Sequence, residues 1–126
     1  FLNGREAAKY MIKRNKGTII FTGATASMRG GANFAAFASA KNGLRALAQS
    51  MARELGPQNI HVAHVIIDAA VDTEWIKSIN PEYDKKIKTD GIVNPSHLAE
   101  NYLYLYDQPR DAWTFELDLR PWQETW

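Results

Sequence analysis

Two short apolar runs, TIIFT at residues 18–22 and HVAHVII at residues 61–67, are rich in β-branched residues and too short to be helices of ordinary length. Between them lies one helical pattern from about Asn33 to Leu55. Strands joined through a helix pair in parallel, because an antiparallel pair closes through a tight turn while a parallel pair needs a long crossover. Such crossovers are right-handed. Another helical pattern occupies residues 2–15, and a third opens at Asn94-Pro95, with asparagine as cap and proline at the first helical position, and ends near Tyr106. Trp113, Phe115, Leu117 and Leu119 then alternate with Thr114, Glu116 and Asp118, the period of a strand with one wet face at a sheet edge. The order helix, strand, helix, strand, helix, strand predicts an α/β chain built on three parallel strands with flanking helices. Residues 73–79 read as a weak helix and residues 80–91 as an irregular, charged excursion.

The central helix is dominated by small residues, among them Ala35, Ala36, Ala38, Ser39, Ala40, Gly43, Ala46 and Ala48, which allow close approach to more than one neighbour. Its larger apolar stripe, Phe34, Phe37, Leu44, Leu47, Met51 and Leu55, is expected to face the sheet or a partner helix. Gly56-Pro57 closes it, glycine supplying a left-handed cap and proline lacking the amide hydrogen.

The stretch FTGATASMRGG, residues 21–31, follows a strand and precedes a helix, as a phosphate-cradling loop does. Its glycines are wrongly placed for that task. Counting from Gly23, the positions where backbone must approach a pyrophosphate hold Ser27 and Arg29, and no acidic residue closes a following strand at the usual distance.

With 126 residues the chain is one domain, residues 1–126, and a net charge of +1 gives no reason to expect nucleic acid or an anionic membrane as a partner. The cluster Lys85, Lys86 and Lys88 is flanked by Glu82, Asp84 and Asp90 and reads as a solvated loop. No cysteine is present, which excludes disulfides, thiolate zinc sites and a thiol nucleophile. With no apolar run long enough to span a bilayer, the expectation is a soluble, cytoplasmic protein. The chain begins Phe-Leu-Asn, already inside a helical pattern, as a piece of a longer chain would.

Side chains that carry chemistry are sparse. His61 and His64 lie three apart on a strand and point to opposite faces, so they do not share an ion; His97 and Glu100 share a helix face without a third ligand. No metal site is expected. Ser27, Ser39 and Ser50 lack a histidine and carboxylate at a suggestive spacing. Lys41 remains, in the first turns of the small-residue helix, either reaching to solvent or facing a cleft above the carboxyl ends of the strands.

Taken together, GTIIFTGATAS, FASAKNGLRALAQSMAREL and IHVAHVIIDAAVDT resemble, in order and spacing, the catalytic half of a short-chain dehydrogenase/reductase, and WTFELDLRPW is similar to that family's last strand. The resemblance implies the C-terminal half of a Rossmann-like doubly wound parallel sheet, without the dinucleotide-binding half. It makes the loop after the first strand the one that normally bears the catalytic serine. Tyrosine four residues before the lysine, and serine thirteen before that tyrosine, are the family pattern; here those positions hold Phe37 and Ala24. The proline-glycine that follows the second strand appears as Asp68-Ala69.

What the resemblance implies for function follows residue by residue. Lys41 would be the ribose ligand of NAD or NADP, with Val71 and Thr73 lining the nicotinamide end and Thr25 and Ser27 lining the substrate space. Phe37 and Ala24 would occupy the catalytic Tyr and Ser positions without their chemistry. The function implied is part of an NAD(P)-dependent oxidoreductase acting on a small carbonyl, alcohol or enoyl substrate, this chain alone being inactive. The alternative is a non-catalytic Rossmann-like module for nucleotide binding or protein contacts. Homo-oligomers through the helices at residues 2–15 and 32–55 are also implied.

Overall fold

The computed structural model describes residues 1–125. Three parallel strands, β1 (Gly17–Thr22), β2 (Ile60–Ile67) and β3 (Glu116–Leu119), form one sheet in the order β1-β2-β3. Ile19 stands opposite Val62, and Val65 opposite Leu117. The central strand is buried on both faces from Ile60 to Ile66, which is why it reads as an unbroken apolar run apart from its two histidines.

Because successive strand residues point to opposite faces, the sheet has two cores. Helices α1 (Leu2–Arg14) and α2 (Ala35–Leu55) bring Ala8, Met51 and Leu55 onto Ile19, Ile60 and Val62. On the other face α5 (Pro95–Asp107) packs Leu105 against Ala63 and Val65, with Ile20, Ile67, Tyr102, Leu117 and Leu119 around it. Asn94 caps α5 as expected, accepting from the Ser96 amide at 2.8 Å.

Three local expectations are corrected. Gly56 is right-handed at φ −54°; a single 3-10 turn carries the chain on, and Asn59 at φ 59° takes the left-handed position. Asn59 then donates its side-chain amide to the Asn15 carbonyl at 2.8 Å, tying the two helix ends together. Along α2, Met51 and Leu55 are buried as the stripe predicts, but Phe34 and Phe37 are 58% and 46% exposed. Ala38 and Ala48 are the buried residues nearer the helix start, because only small side chains let α2 lie close to the sheet.

The third correction concerns the alternating segment. Only residues 116–119 join the ladder, since Trp113 turns aside to stack on His61 with ring centroids 4.9 Å apart. Nor is its polar face wet throughout: Arg45 of α2 closes over Glu116 with two bonds of 2.7 Å. Between β2 and α5 lie two short helices, α3 (Glu74–Ile79), capped by Thr73, and α4 (Tyr83–Lys86), whose Tyr83 hydroxyl donates to Asp72 at 2.7 Å.

Candidate active site at the strand ends

In an open parallel sheet the loops leaving the carboxyl ends of the strands surround the one place where side chains from several elements converge without blocking the ladder. Here those loops are residues 23–34, 68–73 and 120–125. The first begins at Gly23, whose amide donates to the Val65 carbonyl at 2.6 Å. A side chain would not fit there. A Cβ on Gly23 would lie 2.4 Å from His64 Nε2 and 2.7 Å from Ser27 Oγ, so the imidazole occupies the room that a residue with a side chain would need.

His64 is fully buried, and its Nδ1 lies 3.0 Å from Glu116 Oε2. Glu116 is the carboxylate that Arg45 holds, so it only accepts and His64 Nδ1 carries the proton. The Arg45 guanidinium keeps the Glu116 carboxyl below its ordinary pKa; burial opposes the shift, and the His64 hydrogen bond reinforces it. This chain of polar groups runs under α2 to the base of the loop. Ser27 is also fully buried, with its hydroxyl accepting from the Ala24 amide at 3.1 Å, and Asn42 of α2 donates to the Ala26 carbonyl at 2.7 Å. The loop is therefore fixed from below at Gly23, Ala24 and Ala26.

Lys41 lies at the end of β1, where its ammonium donates to the Thr22 carbonyl at 2.9 Å and sits 5.8 Å from the centre of the Phe37 ring. An ammonium has three donors, and among the described residues only this bond to Thr22 occupies one. Ala24 is extended and half-buried in the same loop, with no side-chain polar atom. Lys41, Phe37 and the loop carrying Ala24 and Thr25 are thus brought to one end of the sheet. Val71 instead pairs with Val93 in an isolated bridge, and the Thr73 hydroxyl is engaged in capping α3, accepting from Ile76 at 3.2 Å. His61 and His64 point to opposite faces: His61 Nε2 donates to the Thr114 carbonyl at 2.8 Å on the side away from Glu116.

One polar residue at this end was not singled out as a site residue. Asp68, only 2% exposed, receives the Thr25 hydroxyl and faces the guanidinium groups of Arg29 and Arg120 at 3.4 Å each. The signal was in the sequence, an acid placed directly at the end of an apolar strand, but it read only as a departure from proline.

Residues 1–84 match the family described as short chain dehydrogenase. A curated relative, a 3-oxoacyl-[acyl-carrier-protein] reductase of Bos taurus, is 29% identical over 109 residues, covering 86% of this chain and 46% of the relative. The crystal structure of a short-chain dehydrogenase from Rhodopseudomonas palustris superimposes with a TM-score of 0.72 at 51% identity, covering 94% of this chain and 45% of that one. A 4-hydroxyisoleucine dehydrogenase complexed with NADH superimposes with a TM-score of 0.79 at 26% identity over 96% of this chain and 53% of its own. The chain spans about half the length of these relatives. With a parallel sheet of the same architecture, and the lysine and its loop gathered at the strand ends, this chain belongs to the short-chain dehydrogenase family.

Proposed function

We propose that this chain forms the substrate-facing half of an oxidoreductase that moves hydride between a nicotinamide cofactor and a small alcohol, carbonyl or enoyl substrate. The observation that carries this reading is Lys41, an ammonium anchored to the Thr22 carbonyl beside the ring that stands at the tyrosine position. The residues present fit the ribose end of such a cofactor. Lys41 has donors left for a ribose hydroxyl, and the family resemblance assigns the nicotinamide end to Val71 and Thr73 of the loop after β2, although the one is bridged to Val93 and the other caps α3. NAD and NADP fit these residues equally, and the relative complexed with NADH supports the cofactor class. When bound, the group accepts or supplies the hydride.

Phe37 has no proton to give, and Ala24 has no hydroxyl to hold a substrate oxygen. The chain alone is therefore expected to be inactive toward common alcohols and ketones. Those two residues also favour the second reading, a non-catalytic module that binds a nucleotide or another protein. NADH fluorescence tests the cofactor site. A saturable enhancement with the 126-residue chain, lost in Lys41→Ala, supports a nicotinamide site at Lys41; no enhancement assigns the chain to a module for protein contacts.

Association is the other part of the proposal. Phe1, Leu2 and Ile12 of the first helical segment are 69%, 63% and 41% exposed, and a groove of about 290 Å³ runs between α1 and α2 beside Met51 and Leu55. A second copy docking its helices at residues 2–15 and 32–55 would cover that surface. Sedimentation at micromolar concentration is expected to give at least a dimer, and a monomer mass would refute this interface. Among the described residues no helix is long and apolar enough to cross a membrane.

A further inference from the structure

Asp68 joins four segments. Its amide donates to the Leu119 carbonyl at 2.9 Å, so it is locked to the end of β3. One carboxylate oxygen accepts the Thr25 hydroxyl, and the other lies 3.4 Å from Arg29 and 3.4 Å from Arg120. The same Arg29 nitrogen donates to the Thr125 carbonyl at 3.3 Å, and Gln123 donates to the Thr89 carbonyl. The segment 121–125 therefore lies across the strand ends, tied to the loop after β1 through Arg29 and to the charged excursion through Gln123.

We propose that Asp68 is a positioning residue that sets the substrate end of the strand-end site in two ways. It commits the Thr25 proton to a carboxylate, so that Thr25 has only acceptor lone pairs left to present. Through Arg29 it also holds residues 121–125 as the adjoining wall. Ser27 is sealed beneath the loop, which makes Thr25 the half-buried hydroxyl beside Ala24. An acceptor at that point suits a substrate that donates a proton there, a hydroxyl compound rather than its carbonyl counterpart. A buried carboxylate is costly without partners, and the two guanidiniums and one hydroxyl around Asp68 offset that cost only while the three loops stay together.

The test uses the 126-residue chain and needs no cofactor. Three-bond couplings to the Thr25 methyl should report one side-chain rotamer, kept in Asp68→Asn, whose carbonyl still accepts, and averaged in Asp68→Ala. Exchange of the Glu124 amide, bonded to the Pro121 carbonyl at 3.0 Å, should quicken roughly tenfold in both variants, while Val62 stays unchanged. Arg29→Gln leaves Asp68 with Arg120 and should quicken Glu124 without altering Thr25, which keeps the proposal testable if either Asp68 variant fails to fold. An unchanged Thr25 rotamer in Asp68→Ala, or unchanged Glu124 exchange in Arg29→Gln, overturns it.

The acceptor role is read with 2-propanol and acetone as probes. The Thr25 methyl should shift roughly threefold more with 2-propanol, a difference that Thr25→Val removes. Equal shifts in the parent chain overturn that part. The inference rests on the strand-end loops forming a substrate site; failure of NADH to bind would sink that reading and leave the coupling and exchange results standing.

Discussion

Replacing Glu116 by alanine is expected to destabilise the chain by roughly 2–4 kcal/mol, the range for removing one partner of a partly buried, hydrogen-bonded charge pair. Glu116 accepts two bonds from Arg45 at 2.7 Å and lies 3.0 Å from the Nδ1 of the fully buried His64. Without it, Arg45 still reaches water, since its side chain is 31% exposed, but His64 does not. Most of the loss therefore falls on the imidazole and on the loop it supports. Glu116→Gln keeps the shape and one acceptor and should cost less than alanine.

The same network sets a pH dependence. Because the folded-state pKa of Glu116 is depressed, with Arg45 as the main cause, its contribution is present above the unfolded carboxylate value and is lost as pH falls through the folded one. Denaturant titrations of the parent chain should therefore show stability falling below about pH 4.3, the unperturbed glutamate value, and Glu116→Gln should flatten that limb. Equal acid slopes in the two proteins would show that Glu116 is not the linked group.

How much of this was visible in the sequence follows from how the segments stabilise themselves. β1 and β2 are continuous β-branched runs whose burial comes from both faces, so composition alone locates them. The alternation predicts a longer β3 than the four residues that form it. The alternation from Trp113 onward is genuine, yet Trp113 spends its apolar surface on His61 instead of the ladder, and no local rule distinguishes the two. The same holds for α2. Helical periodicity marks Phe34 and Phe37 as apolar, but whether they are covered depends on what packs beyond the helix start, and both are exposed in this chain.

The polar parts of the candidate site were the least legible. Lys41 and the loop at residues 23–29 follow from spacing and resemblance, since a strand, a turn of small residues and a helix keep their separation along the chain. His64, Glu116 and Asp68 act across 39 to 71 residues, through Arg29 at 39, Thr25 at 43, the His64–Glu116 pair at 52 and the Arg45–Glu116 pair at 71. In a single sequence such residues look like polar interruptions in apolar strands. Their meaning lies in the pairing register, which sets His64 beside Glu116, and that register exists only once β3 has docked against β2.

That dependence on docking bears most directly on the other side of the sheet. Among the described residues β1 pairs with β2 alone, so one edge of its six residues presents amides and carbonyls with no strand opposite them. No lysine, proline or bulge within residues 18–21 blunts that edge, and the strand is apolar. At the far end Lys41 occupies the Thr22 carbonyl, which protects the last position only. An edge of this kind is a template for another strand, and the chain is expected to add a copy of itself there, take up a separate strand, or aggregate as concentration rises. Ile20→Lys is a poor probe, because Ile20 packs with the Leu105 cluster and its loss would unfold the core along with the edge. Hydrogen exchange on a sample shown to be monomeric avoids that difficulty. The outward amides of β1 should exchange orders of magnitude faster than those of residues 62–66, whose strand is paired on both sides, and raising the concentration should slow the β1 amides selectively. If residues 18–21 are as protected as the central strand in the monomer, the edge is already satisfied within the chain and the expected association has no basis.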